Sequence, residues 1–272
     1  MDARERVSVI RKFSSSGNTI VFIHKFPSIR ATQLARTLLM PNMVGGDILC
    51  VYEISSPPQL SFYNPDGSEA EICGNSLICF GAILRDEGFT GLVEVYTKAG
   101  TKRIKISDNS IEAEMLNLDH FSAEYIALHL DSGIIRGYYT ESVGNPHFIM
   151  IGATVPFELA PRIEKAPYFK NRVNVSFVTR ISKSFVLHRI WERGVGETLS
   201  CASGAVSSFA LLYSKGFVNR SCIFMARGGY LTLQIISNTI WVKGVPTLIS
   251  ECHFIRGGIY QTTVKDGGEV HR

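Results

Sequence analysis

Apolar and polar positions alternate along the chain with two distinct periods. Short runs rich in β-branched and aromatic residues, T-I-V-F-I-H at 19–24 and H-F-I-M-I at 147–151, predict strands. Leu77, Phe80, Gly81 and Leu84 fall at i, i+3, i+4 and i+7, as do Val206, Phe209, Ala210 and Tyr213. That spacing predicts two helices. Both are apolar over most of their surface and carry small residues (Gly81, Ala82, Ala210) that allow close approach, so a sheet should wrap each of them. Gly88 and Gly216 stand where a helix C-cap glycine belongs. The stretch from about 117 to 132 reads as a connector, and the polar tail after Gly257 as loose at its end.

The two halves share one pattern. C-G-N-S-L-I-C-F-G-A-I-L-R-D-E-G-F at 73–89 and C-A-S-G-A-V-S-S-F-A-L-L-Y-S-K-G-F at 201–217 both start with Cys and end with Gly-Phe. The offset of 128 residues also matches Tyr63 to Trp191, Glu69 to Glu197 and Gly100 to Gly228. R-I-K-I-S and L-T-L-Q-I-I, strand-like in alternation, follow those two glycines, and Gly17-Asn18 matches Gly144-Asn145 at nearly the same offset. The chain therefore reads as two tandem copies of one α/β (α+β) domain. The boundaries are 1–118 and 119–272, with a strand near 245–258 as a candidate for return to the first copy.

Composition narrows the function. In 272 residues, 45% apolar and 19% charged, a large core can be buried and disorder is excluded as the main state. A formal charge of +4 from interspersed signs gives no clustered basic footprint, so no nucleic-acid partner is expected. No run approaches the roughly 18 apolar residues of a membrane span. The opening M-D-A-R-E-R-V-S-V-I lacks an apolar signal region, so a cytoplasmic protein is expected. The six cysteines contain no C-x-x-C pair, which removes support for a zinc ribbon or a thioredoxin-type site. Most such thiols are small buried hydrophobes.

Cys73 and Cys201 differ from the rest because each opens a helix. Backbone N–H groups there are unpaired and the helix dipole favours negative charge, which should lower a thiol pKa and also hold a carboxylate. Two such mouths facing each other would grip one substrate carboxylate and flank its α-carbon with two sulfurs. That arrangement suits inversion of a stereocentre.

The residues around the two cysteines, Y-N-P-D-G-S-E-A-E-I-C-G-N and W-E-R-G-V-G-E-T-L-S-C-A-S-G, resemble the diaminopimelate epimerases. S-G-N at 16–18, V-G-N-P-H at 143–147 and R-V-N-V-S-F at 172–177 carry the resemblance over nearly the whole chain. It implies two pseudo-symmetric domains, each a curved mixed sheet or barrel around a central helix, with the active site in the cleft between them. It implies a cofactor-independent isomerase, without metal, that interconverts LL- and meso-diaminopimelate on the route to lysine and peptidoglycan. Cys73 and Cys201 match the acid/base pair. Gly74, Asn75, Ala202 and Ser203 match the N–H donors to the reacting carboxylate. Asn64, Asn174 and Arg193 match the residues holding the distal amino-acid end, and Asn18 and Asn145 match further substrate contacts. His147 and Glu192 match the pair that tunes the thiols, Glu192 also lying among the substrate contacts.

Four departures bear on substrate choice and assembly. Ile48 replaces a substrate-contacting glutamine, Ala202 replaces a glycine, and Ser76-Leu77-Ile78 removes an arginine. Ser250 falls about where a tyrosine linked to dimer formation belongs, leaving a homodimer open. Two alternatives remain: a racemase of proline, hydroxyproline or histidine with the same architecture, and a non-catalytic ligand-binding duplication.

Overall fold

The computed structural model describes residues 8–25, 30–152, 156–255 and 258–262. The first copy runs β1 (Ser8–Ser15), β2 (Asn18–His24), α1 (Ala31–Leu38), β3 (Ile48–Glu53), β4 (Gln59–Tyr63) and β5 (Glu69–Ala70). It continues with α2 (Gly74–Asp86), β6 (Gly91–Thr97), β7 (Gly100–Ser107) and β8 (Ser110–Asn117). The second runs β9 (Glu124–Leu130), β10 (Gly133–Thr140), β11 (His147–Ile151), α3 (Ala160–Glu164), β12 (Asn174–Arg180), β13 (Phe185–Glu192) and β14 (Gly196–Thr198). Then come α4 (Ala202–Ser214), β15 (Ser221–Ala226), β16 (Gly229–Ile236), β17 (Thr239–Gly244), β18 (Pro246–Ile255) and β19 (Gly258–Thr262).

The strands pair in the order β19-β18-β1-β2-β3-β4-β6-β7-β8, and β8 then pairs antiparallel with β17. From β17 the order is β16-β15-β13-β12-β11-β10-β9, with β5 and β14 as side hairpins on β4 and β13. The parallel pairs β2–β3 and β4–β6 recur as β11–β12 and β13–β15, so the duplication extends to topology. Among the described residues the sheet is mixed and open, with β19 and β9 as its edges. β18 returns to pair with β1.

Burial explains the near-continuous apolar runs. In β2, Ile20 and Phe22 face the core around α2, while Val21 and Ile23 pack with Ala35 and Leu38 of α1 on the other face. A strand covered on both faces has no reason to alternate. β11 repeats this: Ile149 faces the α4 side, and Phe148 and Met150 meet Ala160 and Ile163 of α3. Residues Gly74–Leu84 of α2 and Ala202–Leu212 of α4 are buried throughout. Gly88 (φ +89°) and Gly216 (φ +71°) end these helices, with Phe89 N–H donating to Leu84 O and Phe217 N–H to Leu212 O, both at 2.9 Å.

One expectation is corrected. The stretch 117–132 is not a plain connector, because β9 within it pairs along β10 and buries Ile126 and Leu128 at every second position. The tail after Gly257 begins with β19, paired to β18; residues 263–272 lie outside the described residues. No helix among the described residues is long and apolar enough to cross a membrane.

Candidate active site

Cys73 and Cys201 are the N-caps of α2 and α4, both extended, at φ −138°, ψ 111° and φ −142°, ψ 113°. The two helix starts meet directly. A Cβ placed on Gly74 would lie 2.8 Å from Ala202 Cβ and 2.9 Å from Met115 Cε. Only glycine fits at 74, and the bare Gly74 backbone leaves room for the Ala202 methyl. That departure therefore costs the contact nothing.

The expected lowering of the thiol pKa values is not what the structure gives. Burial pushes Cys73 up, against the Ser76 hydroxyl and the Ser76 and Asn75 N–H groups, and the Glu192 charge adds to the rise. Burial pushes Cys201 up further, Glu192 again adding, while the Ser203 hydroxyl and Gly204 N–H favour its thiolate. The helix mouths act as expected on each sulfur, but desolvation outweighs them. Raised above their ordinary value, both thiols are neutral at pH 7. Glu192 is itself pushed up to about 7 by burial, although Thr198 Oγ1 donates to its Oε1 at 2.6 Å and the Cys201 thiol also bonds to it. Asp47, whose Oδ2 accepts from Thr19 N and Oγ1 at 2.7 and 2.8 Å, raises it further. One carboxyl poised near neutrality thus acts electrostatically on both sulfurs.

A second chain of polar groups leads away from Cys201. Its Sγ lies 3.2 Å from Ser203 Oγ, which lies 3.1 Å from His147 Nε2. Asn145 closes the group: its Nδ2 donates to Ser203 Oγ at 3.3 Å, and its Oδ1 lies 3.1 Å from His147 Nε2. Because Asn145 Oδ1 can only accept, His147 carries its proton on Nε2. Among the described residues its Nδ1 has no hydrogen-bond partner, although it is buried. Burial, with His188 and Arg193 nearby, brings His147 down to about 3, and burial brings His188 down to about 4.

These shifts predict a pH dependence of stability. Unfolded histidine titrates near 6.5, so below that pH the unfolded chain binds two protons that the folded chain refuses, and stability falls on acidification. Glu192 works the other way: between about 4.3 and its folded value the folded chain holds the extra proton, so stability falls as pH rises. Two protons against one leaves urea stability rising by about 1.4 kcal/mol per pH unit between pH 4.5 and 5.5, and by progressively less toward pH 6.5, where the unfolded histidines are half deprotonated. His188→Leu should leave that window nearly flat. Equal slopes for parent and variant would contradict the assignment.

Arg193 and Asn174 come together. Arg193 N donates to Asn174 Oδ1 at 3.0 Å, and Asn174 Nδ2 donates to Pro146 O at 3.0 Å, which ties the pair to the Asn145–His147 segment. Asn64 instead bonds within its own hairpin, Nδ2 donating to Ser68 Oγ at 3.0 Å. Asn18 follows a turn clasped by the second copy: a Cβ on Gly17 would lie 2.8 Å from Gly228 Cα and from Leu199 Cβ. Among the described residues its Oδ1 has no hydrogen-bond partner, although it is buried. Asn75 is buried and accepts from Ser15 Oγ at 3.3 Å. Ile48 is part of the α2 core, paired in register with Ile20. Sequence reasoning missed Ser15, Asp47, His188, Thr198 and Met115, which act on the site only across the fold.

The profile of the family described as diaminopimelate epimerase matches residues 139–249. The diaminopimelate epimerase of Magnetococcus marinus is 30% identical over 227 residues, 78% of this chain and 76% of that protein. The chain belongs to the diaminopimelate epimerase family. That of Methanococcus maripaludis is 32% identical over 71% of this chain and 78% of its own length. Among solved structures, a phenazine biosynthesis protein of the PhzF family from Enterococcus faecalis superposes with a TM-score of 0.69 at 11% identity. It covers 92% of this chain and 100% of its own. A hydroxyproline epimerase from Agrobacterium vitis gives 0.62 at 17% identity, over 98% and 95%. At those identities the likeness is one of fold. This epimerase is an isomerase built on the fold that both share.

Proposed function

We propose that this epimerase interconverts LL- and meso-diaminopimelate by proton transfer between Cys73 and Cys201, a step of lysine and peptidoglycan precursor synthesis. The observation that carries the reading is the contact of the two helix mouths at Gly74 and Ala202, with Glu192 acting on both thiols. N–H groups of Gly74, Asn75, Ala202 and Ser203 suit the reacting carboxylate, whose charge grows as the α-proton leaves. The unpaired Oδ1 of Asn18 suits the α-ammonium. One thiol passes its proton to the Glu192 carboxylate and becomes the base. It takes the α-proton from one face while the other, still protonated, delivers its own to the opposite face. The sulfurs exchange roles and no net proton is consumed. His147, neutral and bonded to Ser203, orients the hydroxyl that supports the Cys201 thiolate. Arg193 and Asn174 receive the distal end, where a planar guanidinium grips a carboxylate in two places.

A second reading is a racemase of a monocarboxylic amino acid, on the fold this chain shares with the hydroxyproline epimerase from Agrobacterium vitis. Incubating the purified protein with LL-diaminopimelate, L-proline, trans-4-hydroxy-L-proline and L-histidine, without added cofactor, separates the two by chiral chromatography. Diaminopimelate should epimerise and the others should not. Preferred turnover of a monocarboxylic substrate would overturn the assignment.

A further inference from the structure

One buried carboxylate apart from the two thiols has its donors on the two segments that carry Asn174 and Arg193. Glu164 ends α3, on the face of β12 opposite α4, and is buried. Its Oε2 accepts from the Trp191 indole Nε1 at 2.8 Å, and its Oε1 from Gly194 N at 2.8 Å and Arg172 Nη1 at 3.3 Å. Trp191 and Gly194 bracket the dipeptide Glu192-Arg193, and Arg172 stands two residues before Asn174. Asn174 Oδ1 then accepts from Arg193 N at 3.0 Å, while Arg193 Nη1 donates to Asn171 O at 3.1 Å. One side chain therefore pins both segments.

The pinning has something to hold. Arg172 sits at φ +60°, a conformation a non-glycine residue keeps only when its surroundings impose it. The turn from Glu192 is closed by Val195 N–H donating to Glu192 O at 3.1 Å, with Gly194 at φ +75°. Burial pushes the Glu164 carboxyl up, but the Trp191, Gly194 and Arg172 donors outweigh it and keep the group ionised. Hydrogen bonds to a charged acceptor are about twice as strong as neutral ones, which makes this a stiff anchor.

We propose that Glu164 is a specificity-determining positioning residue: through the Glu192–Gly194 turn it holds the Arg193 guanidinium in place for a second carboxylate on the substrate. This rests on the assignment of Arg193 to the distal carboxylate. Glu164 touches the turn that carries Arg193, so its effect reaches the substrate through that turn.

The test is a double-mutant cycle in the full chain. In Glu164→Gln a single amide oxygen replaces two carboxylate oxygens, and the amide N–H groups face other donors. KM for LL-diaminopimelate should rise about tenfold with kcat changing less. In an Arg193→Ala background the same substitution should change kcat/KM by less than about threefold. Hydrogen exchange at the Gly194 amide should accelerate about tenfold. Trp191→Phe removes one donor while keeping the ring, gives the same pattern at smaller size, and serves if Glu164→Gln does not fold. An equal loss in both backgrounds, or unchanged Gly194 exchange, would overturn the proposal, since a purely structural residue gives additive losses. If the parent does not turn over LL-diaminopimelate, the substrate assignment fails, and Gly194 exchange alone decides whether Glu164 positions the turn.

Discussion

Replacing Cys73 or Cys201 by alanine is expected to abolish epimerisation while leaving the fold intact. Neither sulfur makes a side-chain capping bond to its helix, so truncation removes no cap. Inversion needs a base on one face of the α-carbon and an acid on the other. On each face the thiol is the group placed at the helix mouth that would hold the carboxylate. Glu192 is no substitute, because it is engaged by Thr198 at 2.6 Å and serves both sulfurs from beside them. A positioned acid or base contributes about 10²–10⁴-fold, so each variant should lose at least that much in kcat/KM. Thermal unfolding measured beside the kinetics separates loss of chemistry from loss of fold. A well-folded variant with a tenth or more of parental activity would contradict the role of that cysteine.

Arg193→Ala should raise KM steeply and lower kcat as well. Binding energy from the distal end positions the reacting end, so its loss is felt in both parameters. Removing one partner of a charge pair buried by the bound substrate costs about 2–5 kcal/mol, or roughly 30-fold to several thousandfold in kcat/KM. The turn itself should persist, because the contact with Asn174 is made by the Arg193 backbone N–H. Steady-state kinetics with LL-diaminopimelate checks this, and a change within a few-fold would break the link between Arg193 and a second carboxylate.

Much of the architecture was legible because the chain repeats itself. The 128-residue offset, read from Cys-to-Gly-Phe spacing, carries α2 onto α4 residue for residue, from Gly74 to Ala202 and Asp86 to Ser214. All-round apolar character identified both as wrapped helices. The period-2 signal of β9 is short and sits between polar residues, so Ile126 and Leu128 do not stand out in the sequence. α1 and α3 are short, eight and five residues, and form chiefly because sheet faces need covering.

The site was legible as a set of residues and illegible as an electrostatic object. A helix N-terminus lowers a thiol pKa, and that much follows from sequence. The burial that reverses it arises from two helix mouths closing on one another, with Gly74 against Ala202 and Met115. Thr198, Asp47 and Glu164 were hidden for a similar reason. Each touches its target across a hairpin or a sheet face, and nothing in the local sequence of a lone Asp or Thr reports such a partner. His188 faces α4 beneath Gly204, 3.3 Å from where a Cβ at 204 would sit; in sequence it is an ordinary polar residue in a strand.

The two-thiol mechanism is tested most directly by following epimerisation in heavy water. A thiol carries one exchangeable proton, so the sulfur that delivers hydrogen to the new face brings it from solvent. The sulfur that removed the α-proton retains it on the other side. Mass spectrometry of both epimers over the first turnovers should find one deuterium at the α-carbon of the product and almost none in the recovered substrate. Deuterium washed into unreacted substrate, or protium kept in the product, would mean that a single base works both faces and would contradict the account.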